Sequence, residues 1–435
     1  MSVTLAEVRL WGSRVGAVRW DPERAVASYE YDNAFLSSGI ELAPLAMPLG
    51  RGIWSFPHLP RTTFKGLPGM LADVLPDKFG TALIDAWLVR NGRSVEDFSP
   101  VERLCYVGQR GMGALEFVPA LDTGERPNSP LDVAELVHLA QKAIAPKAGL
   151  SVDVGGGGPA ADDLTEIIRV GTSAGGARAK AVVAWNENTG EIRSGQPDQD
   201  SGFTHWLLKF DGVDGNRDKE LADPLGYGRI EYAYAQMATA AGIRVPRTRL
   251  LEEQGRAHFM TERFDRRDGK RLHMQTLTAI AHFDFNMAGA HSYEQALAVM
   301  RQLRLSTSDL VEQFRRAVFN IVARNQDDHT KNISFLMDRS GEWSLSPAYD
   351  ITYSYNPNGA WTSSHQMTLN GKRDDFERSD IAEFGAAADL TAVQGLQILD
   401  SVIDVVREWP RFAADAGVPA HLNNEIEANL RLSLP

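Results

Sequence analysis

One spacing constrains this chain more than any other feature: an aspartate, an asparagine five positions later, and a second aspartate returning after a hairpin-like segment. Arg324-Asn325-Gln326-Asp327-Asp328-His329-Thr330-Lys331-Asn332 leads into a mostly apolar run, Ile333 to Met337. A turn over Asp338 to Gly341 and a second short run follow, then Pro347-Ala348-Tyr349-Asp350-Ile351. Asn, Asp and Thr also hydrogen-bond their own backbone in turns, so the Asp–Asn spacing alone equally fits a solvated loop. Asp350 shifts the balance. Pro347 marks a strand end, and an aspartate just beyond it stands where a metal-binding carboxylate would re-enter a site.

The inventory is that of phosphoryl transfer: one carboxylate to orient and deprotonate a hydroxyl, and oxygen ligands for magnesium. D-x-x-x-x-N, followed by an Asp after a hairpin, is the catalytic-loop order of protein kinases.

At 435 residues the chain has room for two or three domains. Its apolar and charged fractions exclude global disorder. A net charge of −12 argues against a protein that covers nucleic acid with its whole surface. The densest basic cluster, Arg263, Arg266, Arg267, Lys270 and Arg271, is interrupted by Asp265 and Asp268 and reads as a solvated turn. Cys105, the single cysteine, excludes an intramolecular disulfide and reads as a small core residue. The start lacks the layout of a signal peptide, and no apolar run reaches membrane-spanning length, so a cytoplasmic location is expected.

Periodicity predicts an α+β chain. Val8 to Trp11 and Val15 to Trp20 read as a hairpin, and Leu71 to Leu88 as a helix broken at Pro76. Ser129-Pro130 reads as a helix start. Lys147 to Asp163, with four consecutive glycines, reads as a linker or mobile loop. A β-rich segment follows, with Ile167 to Val170, Ala181 to Trp185, Thr204 to Phe210 and His258 to Arg263 as strands and Tyr227 to Ala241 as a helix. From Leu272 the chain reads as mainly helical, with Ser308 as the expected N-cap of the helix before the Asp327 loop. The expected parts are an N-terminal α/β subdomain over 1–146, the linker over 147–163, a β-rich part over 164–265 and a helical part over 266–435.

A nucleotide-dependent phosphotransferase also needs a cation on the phosphates, carried by a rigid strand. Lys209 lies in the apolar strand Leu207-Leu208-Lys209-Phe210, where an unpaired ammonium would be costly, and Glu231 is the best-placed opposite charge. An edge-strand lysine facing water fits the same residues. Gly171-Thr172-Ser173-Ala174-Gly175-Gly176-Ala177-Arg178-Ala179-Lys180 is the candidate phosphate cover, since small residues let backbone N–H groups approach an anion. Glu262-Arg263-Phe264-Asp265-Arg266 stands where an interlobe hinge would border adenine; Phe264 would stack or simply pack.

These motifs, with Leu75-Pro76-Asp77 and Gly108-Gln109-Arg110-Gly111-Met112-Gly113-Ala114-Leu115, resemble the HipA family of bacterial toxin serine/threonine kinases. The resemblance runs from about residue 5 to 410. It implies a two-lobed protein-kinase-like fold with an N-terminal α/β subdomain and a helical C-terminal lobe. It implies ATP and Mg2+ as cofactors, Asp327 as catalytic base, Asn332 and Asp350 as metal ligands, and Lys209 on the nucleotide phosphates. Glu262 and Phe264 would border adenine, and Gly175, Gly176, Lys180, Glu231, His329 and Lys331 would complete the nucleotide site. Ser173 falls where family members carry an autophosphorylated serine. The implied partner is a HipB-type helix-turn-helix antitoxin, through which this acidic chain would reach DNA. The implied target is a translation factor such as an aminoacyl-tRNA synthetase, with persistence as the outcome. Leu272-His273-Met274-Gln275-Thr276-Leu277 departs from the best-known toxin members, which leaves the target open.

Two other readings use the same residues. Asp328-His329-x-x-Asn332 is similar to the loop of phosphoinositide kinases, and a small-molecule or lipid kinase would carry it equally well. A catalytically silent antitoxin-binding co-repressor would have no need for Asp327, Asn332, Asp350 and Lys209 together. A metal hydrolase on His273, His282 and His291 is disfavoured, because a spacing of nine puts them on different helix faces. Asn370-Gly371 reads as a hairpin turn.

Overall fold

A computed structural model describes residues 3–120, 130–144, 167, 170, 171, 178–195, 202–213, 225–267 and 269–435. Two compact units are each assembled from separate stretches. The first takes Met1–Gly39, Gly50–Leu225 and Leu251–His273; the second takes Ile40–Leu49, Gly226–Leu250 and Met274–Pro435.

In the first unit, β1 (Leu5–Leu10) and β2 (Ser13–Asp21) form the expected hairpin. Its two-residue turn, Trp11-Gly12, has φ of 51° and 81°, the double positive φ that matches strand twist. With β3 (Val26–Tyr31), β4 (Ile53–Ser55) and β5 (Leu115–Val118) they make an antiparallel sheet of order β4-β3-β2-β1-β5. Alternation sends Ala6, Val8 and Leu10 into the interior. Pro76 separates the short Gly69–Ala72 helix from the Lys78–Arg90 helix, as the proline predicts. Cys105 is buried, and that burial pushes its thiol up to about 12, so it is a packing residue.

The second sheet of this unit is built from β6 (Lys180–Trp185), β7 (Ile192–Ser194), β8 (Thr204–Lys209), β9 (Thr248–Glu253) and β10 (Arg256–Glu262), in the order β7-β6-β8-β10-β9. One face sends Ala181, Val183, Trp206, Leu208 and Met260 into a core with Phe79 and Leu83.

Three expectations fail in this unit. Ile167 and Val170 are helical, not strand, and so is Gly171. Packing in the same core overrides the β preference of branched side chains, and a Cβ on Gly171 would stand 2.6 Å from Leu83 Cδ1. Pro130 does not open a helix; it bridges Arg193, and the helix runs Val133–Ile144, where Glu135 N–H donates to Asp132 Oδ1 at 3.2 Å. The basic cluster is a solvated turn only at Arg267 and Lys270, which are exposed, while Arg263, Arg266 and Arg271 are drawn inward. Asp265 is fully buried and accepts from Arg263 Nε at 2.9 Å, Arg266 at 2.7 Å and the Gly113 N–H at 2.7 Å. Arg271 pairs with Glu116 at 2.9 Å. Asp265, one of the two interleaved acids that suggested mixed surface charge, is the counter-ion of a knot; Asp268 lies outside the described residues. The knot lies beside the short ribbon of β11 (Arg266–Arg267) and β12 (Lys270–Arg271).

The second unit is mainly helical. A sheet of order β13-β14-β15, from β13 (His273–Thr276), β14 (Ser334–Met337) and β15 (Trp343–Leu345), carries the hairpin read from the sequence. Its core joins Phe314, Ile321, Phe335, Leu399 and Val406 among others, so the Thr307–Val322 and Ala392–Val406 helices bury the stripes their spacing predicts. The N-cap of the first is Ser306, not Ser308. Ser306 has the extended backbone a cap needs and accepts from Asp309 N–H at 3.2 Å, while Ser308 Oγ only meets Ser306 Oγ at 2.8 Å. Asn370 and Gly371, with φ of 49° and 75°, turn between the paired Leu369 and Lys372. Among the described residues, no helix is long and apolar enough to cross a membrane. Residues 147–163 of the expected linker lie outside the described residues.

Candidate active site

The Thr307–Val322 helix launches the loop through a left-handed stop. Arg324 has φ 56°, and the Asn325 N–H returns to the Asn320 carbonyl at 3.0 Å, the 6→1 bond of a Schellman end. Asn325 Nδ2 also donates to Asn320 Oδ1 at 3.0 Å. The loop then passes through Asp327 and Asp328 into a short 3-10 turn, Thr330–Asn332. Asn332 closes it twice: its N–H donates to His329 O at 2.9 Å and its Nδ2 to Asp327 O at 2.8 Å. The five-residue spacing is thus the length of one hydrogen-bonded loop.

The two neighbouring aspartates have opposite surroundings. Asp327 keeps 30 % of its side chain exposed, against 1 % for Asp328. Asp327 Oδ1 accepts from Trp361 Nε1 at 2.7 Å, and His329 Nε2 lies 3.8 Å from the same oxygen. Asp328 accepts from Tyr293 OH and His365 Nδ1, each at 2.7 Å, and from the Gln366 N–H at 2.7 Å. Burial alone would raise the Asp328 pKa; the His365 ring, the Tyr293 hydroxyl and the Gln366 N–H outweigh it and hold the carboxyl below its ordinary value. Asp328 is therefore a structural anion, and Asp327 is the carboxylate left partly exposed.

Asp350 returns as the hairpin predicts. Its stem is fixed by Ala348 N–H to Arg244 O at 2.8 Å and by Arg316 to Ser346 O at 2.8 Å, with Arg316 itself paired to Glu312 at 2.8 Å. Asp350 has φ 56°, a left-handed conformation that aspartate tolerates at some cost. Asn332 and Asp350 line one pocket, with Asn325, Asp328 and His329. Among the described residues there is no cluster of three or more His, Cys, Asp or Glu fit for a metal. Magnesium is held by one or two carboxylates together with phosphate oxygens and water, and Asp350 with Asn332 is the candidate pair for such a site. The Asn332 amide commits its nitrogen to Asp327 O, so its oxygen is the atom suited to ligate a cation. Lys331 Nζ lies 5.4 Å from the Phe285 ring centroid, and His329 stacks obliquely on the same ring at 5.4 Å.

The first unit carries the expected cations. Lys209 and Lys180 are both buried, and the β6–β8 register sets them directly opposite each other. Residues so paired share a face, and like charges there are unfavourable unless an anion joins them. Phe259, opposite Lys209 on β10, shares that face, with Lys209 Nζ 5.7 Å from its ring centroid. Glu262 pairs with Trp206, so the pleat sends its side chain to the other face of the sheet. On the Lys209 face Glu262 therefore presents only its backbone. Phe264 is half-buried, and Glu231 is buried on the Tyr227–Ala240 helix of the second unit. Ser173, Gly175 and Gly176 lie outside the described residues.

Trp361, Tyr293, His365 and Gln366 carry no local sequence signal. They stand 34 to 38 positions from the aspartates they hold, and only packing brings them there.

Two proteins of Sinorhizobium fredii described as putative kinases, Y4dM and Y4mE, are 26% identical over 201 and 186 residues. These matches cover 42% and 39% of this chain, and less than half of the relatives' own length, 46% and 44%. HipA of Shewanella oneidensis MR-1, solved in a complex with HipB and operator DNA, superposes with a TM-score of 0.68 at 18% identity, covering 97% of this chain and 96% of that one. The likeness establishes an α+β, kinase-like fold. Residues 6–118 match the HipA N-terminal domain and residues 172–410 the HipA-like C-terminal domain, so the chain belongs to the HipA family.

Proposed function

We propose that the chain is an ATP- and magnesium-dependent protein kinase acting on serine or threonine hydroxyls, and the toxin of a HipA/HipB-type toxin–antitoxin pair. One observation carries this reading. The Asn332 Nδ2 to Asp327 O bond fixes a reachable carboxylate and an amide oxygen on one loop, and Asp350 lines the pocket Asn332 lines. Asp327, with Oδ1 engaged by Trp361, keeps Oδ2 to orient the incoming hydroxyl and take its proton. Asn332 and Asp350 hold the metal through oxygen. Lys180 and Lys209 offer two ammonium groups to the phosphates, Gly175 and Gly176 lend backbone donors, and Glu262 and Phe264 border adenine. Bound magnesium and ATP supply the electrophilic phosphorus and neutralise charge on its oxygens.

The partner is a HipB-type helix-turn-helix antitoxin, and the chain, with its net charge of −12, reaches DNA through it. The substrate is a translation factor such as an aminoacyl-tRNA synthetase. Ser173 is the autophosphorylation site, whose dianion would be repelled by ATP and captured by arginine or backbone donors. The test is incubation of purified protein with labelled ATP, magnesium and a cell lysate. Label on the chain that disappears in Ser173→Ala, with label still passing to a lysate protein, supports the full reading. Label persisting in Ser173→Ala moves the modification elsewhere. A wild type that labels nothing and binds no ATP favours the silent co-repressor. Toxicity on expression, rescued by the neighbouring antitoxin, tests the toxin role separately.

A further inference from the structure

We propose that the C-terminal tail sets the geometry of the catalytic loop, with Arg431 as a positioning residue acting on Asp327 and Asn332 through His365 and Asp328. The match to the HipA-like C-terminal domain ends at residue 410, before this tail. After the Ala420–Asn429 helix, the tail runs back to the helix that launches the loop. Arg431 N–H donates to Val322 O at 2.9 Å and its NH1 to Ile321 O at 3.1 Å, which satisfies carbonyls a helix end leaves orphaned. Arg324 Nε reaches Asn429 O at 2.8 Å, and Arg378 N–H donates to Pro435 O at 2.9 Å.

The Arg431 side chain determines the direction of every bond beyond it. Its NH1 lies 2.9 Å from His365 Nε2, and it forms an ion pair with Asp374. A guanidinium only donates, so Nε2 accepts. The neutral ring then carries its proton on Nδ1 and donates it to Asp328 Oδ2 at 2.7 Å. The other tautomer would set two donors face to face at Nε2 and a lone pair against a buried carboxylate at Nδ1. His365 and Asp328 are both buried, so water does not substitute for either bond. Asp328 precedes the turn that Asn332 closes and follows Asp327 directly. The Gln366 N–H fastens it from the same segment as His365, and Tyr293 from a separate helix. Removing Arg431 frees the tautomer, weakens the grip on Asp328 and loosens the backbone that presents Asp327 and Asn332.

The kinetic consequence rests on the phosphotransferase reading; the structural one does not. Full-length wild type, Arg431→Ala, Arg431→Lys and Arg431→Gln are compared, with the His365 ring nitrogens assigned by NMR against His365→Gln. The expected result is an Nδ1–H ring in wild type and in the Lys and Gln variants, which keep a donor, and a mixed or inverted tautomer in Arg431→Ala. Amide exchange over residues 327–332 rises about tenfold in the Ala variant alone; kcat falls about tenfold while KM for ATP stays within about twofold, the size and pattern expected of a partner that orients reacting groups. If Arg431→Ala does not fold, Arg431→Met, which fills the space without a donor, carries all three arms. Unchanged tautomer and exchange in Arg431→Ala overturn the proposal. So does a Lys variant as impaired as Ala, which would mean packing rather than donation. A wild type that transfers no phosphate overturns the phosphotransferase reading, while tautomer and exchange still decide the positioning claim.

Discussion

Each unit is organised around a fully buried aspartate, and the two are held in different ways. Asp265 in the first unit and Asp328 in the second both have carboxyls kept below the ordinary range. For both, burial alone would push the value up. At Asp265 the guanidiniums of Arg263 and Arg266 overcome it, a charge-for-charge knot tied within two residues of sequence. At Asp328 the ring of His365, the hydroxyl of Tyr293 and one backbone N–H do so, drawn from distant elements. A knot of ion pairs fixes a turn. A carboxylate held by hydrogen bonds from two distant segments, Tyr293 and His365-Gln366, fixes a loop relative to what packs on it, which is what the proposed base Asp327 needs from its neighbour.

Breaking the ion-pair knot should have the largest effect on stability. Asp265→Ala leaves the buried Arg263 guanidinium and the part-buried Arg266 guanidinium without their counter-ion, and urea unfolding should show a loss of about 3–5 kcal/mol. A loss below about 1 kcal/mol would mean that the arginines find other partners and the knot is dispensable.

The same knot predicts an acid dependence. His205 lies near it, and burial, followed by the charges of Arg263 and Arg266, lowers its pKa from 6.5 to about 4. A folded pKa below the unfolded one means the folded state binds the proton less readily. The stabilisation is complete above pH 6.5 and is lost as pH falls towards 4. It amounts to about 3 kcal/mol over that window, and His205→Gln should flatten the curve there. Equal slopes for both proteins would remove His205 from the account.

Asp328→Asn should cost less, about 2 kcal/mol, because it trades one acceptor for a donor facing other donors without stranding a full charge. Here stability and activity should part: a protein still folded at 25 °C should transfer phosphate poorly. Wild-type turnover in Asp328→Asn would make the second aspartate a mere filler. The smallest effect separates two serines. Ser306→Ala should lower the melting temperature through loss of a cap worth about 1 kcal/mol, while Ser308→Ala should leave it nearly unchanged.

The contrast between the aspartates also marks where the sequence stops being readable. Asp327, Asn332 and Asp350 were legible because one loop and one hairpin join them, and local spacing encodes local geometry. The Asn370-Gly371 turn and the Trp11-Gly12 hairpin were legible for the same reason. Arg263, Arg266 and Arg271 were misread because charge alternation looks alike on a solvated turn and in a buried knot; partners such as the Gly113 N–H, 152 positions away, and Glu116 tell them apart. Ile167 and Val170 carry strand-forming side chains on helical backbone, a preference that core packing overrode. Trp361, His365 and Arg431 had no signal, since their partners are distant in sequence and each is chemically ordinary where it stands.

The central claim is that Asp327 is the base and that the parts around it bind nucleotide without it. The direct measurement sets wild type against Asp327→Asn, with labelled ATP and magnesium for transfer and a fluorescent ATP analogue for binding. The account predicts transfer by wild type, a loss of about a thousandfold in Asp327→Asn, and nucleotide affinity within about threefold of wild type. Transfer by Asp327→Asn at the wild-type rate would contradict it.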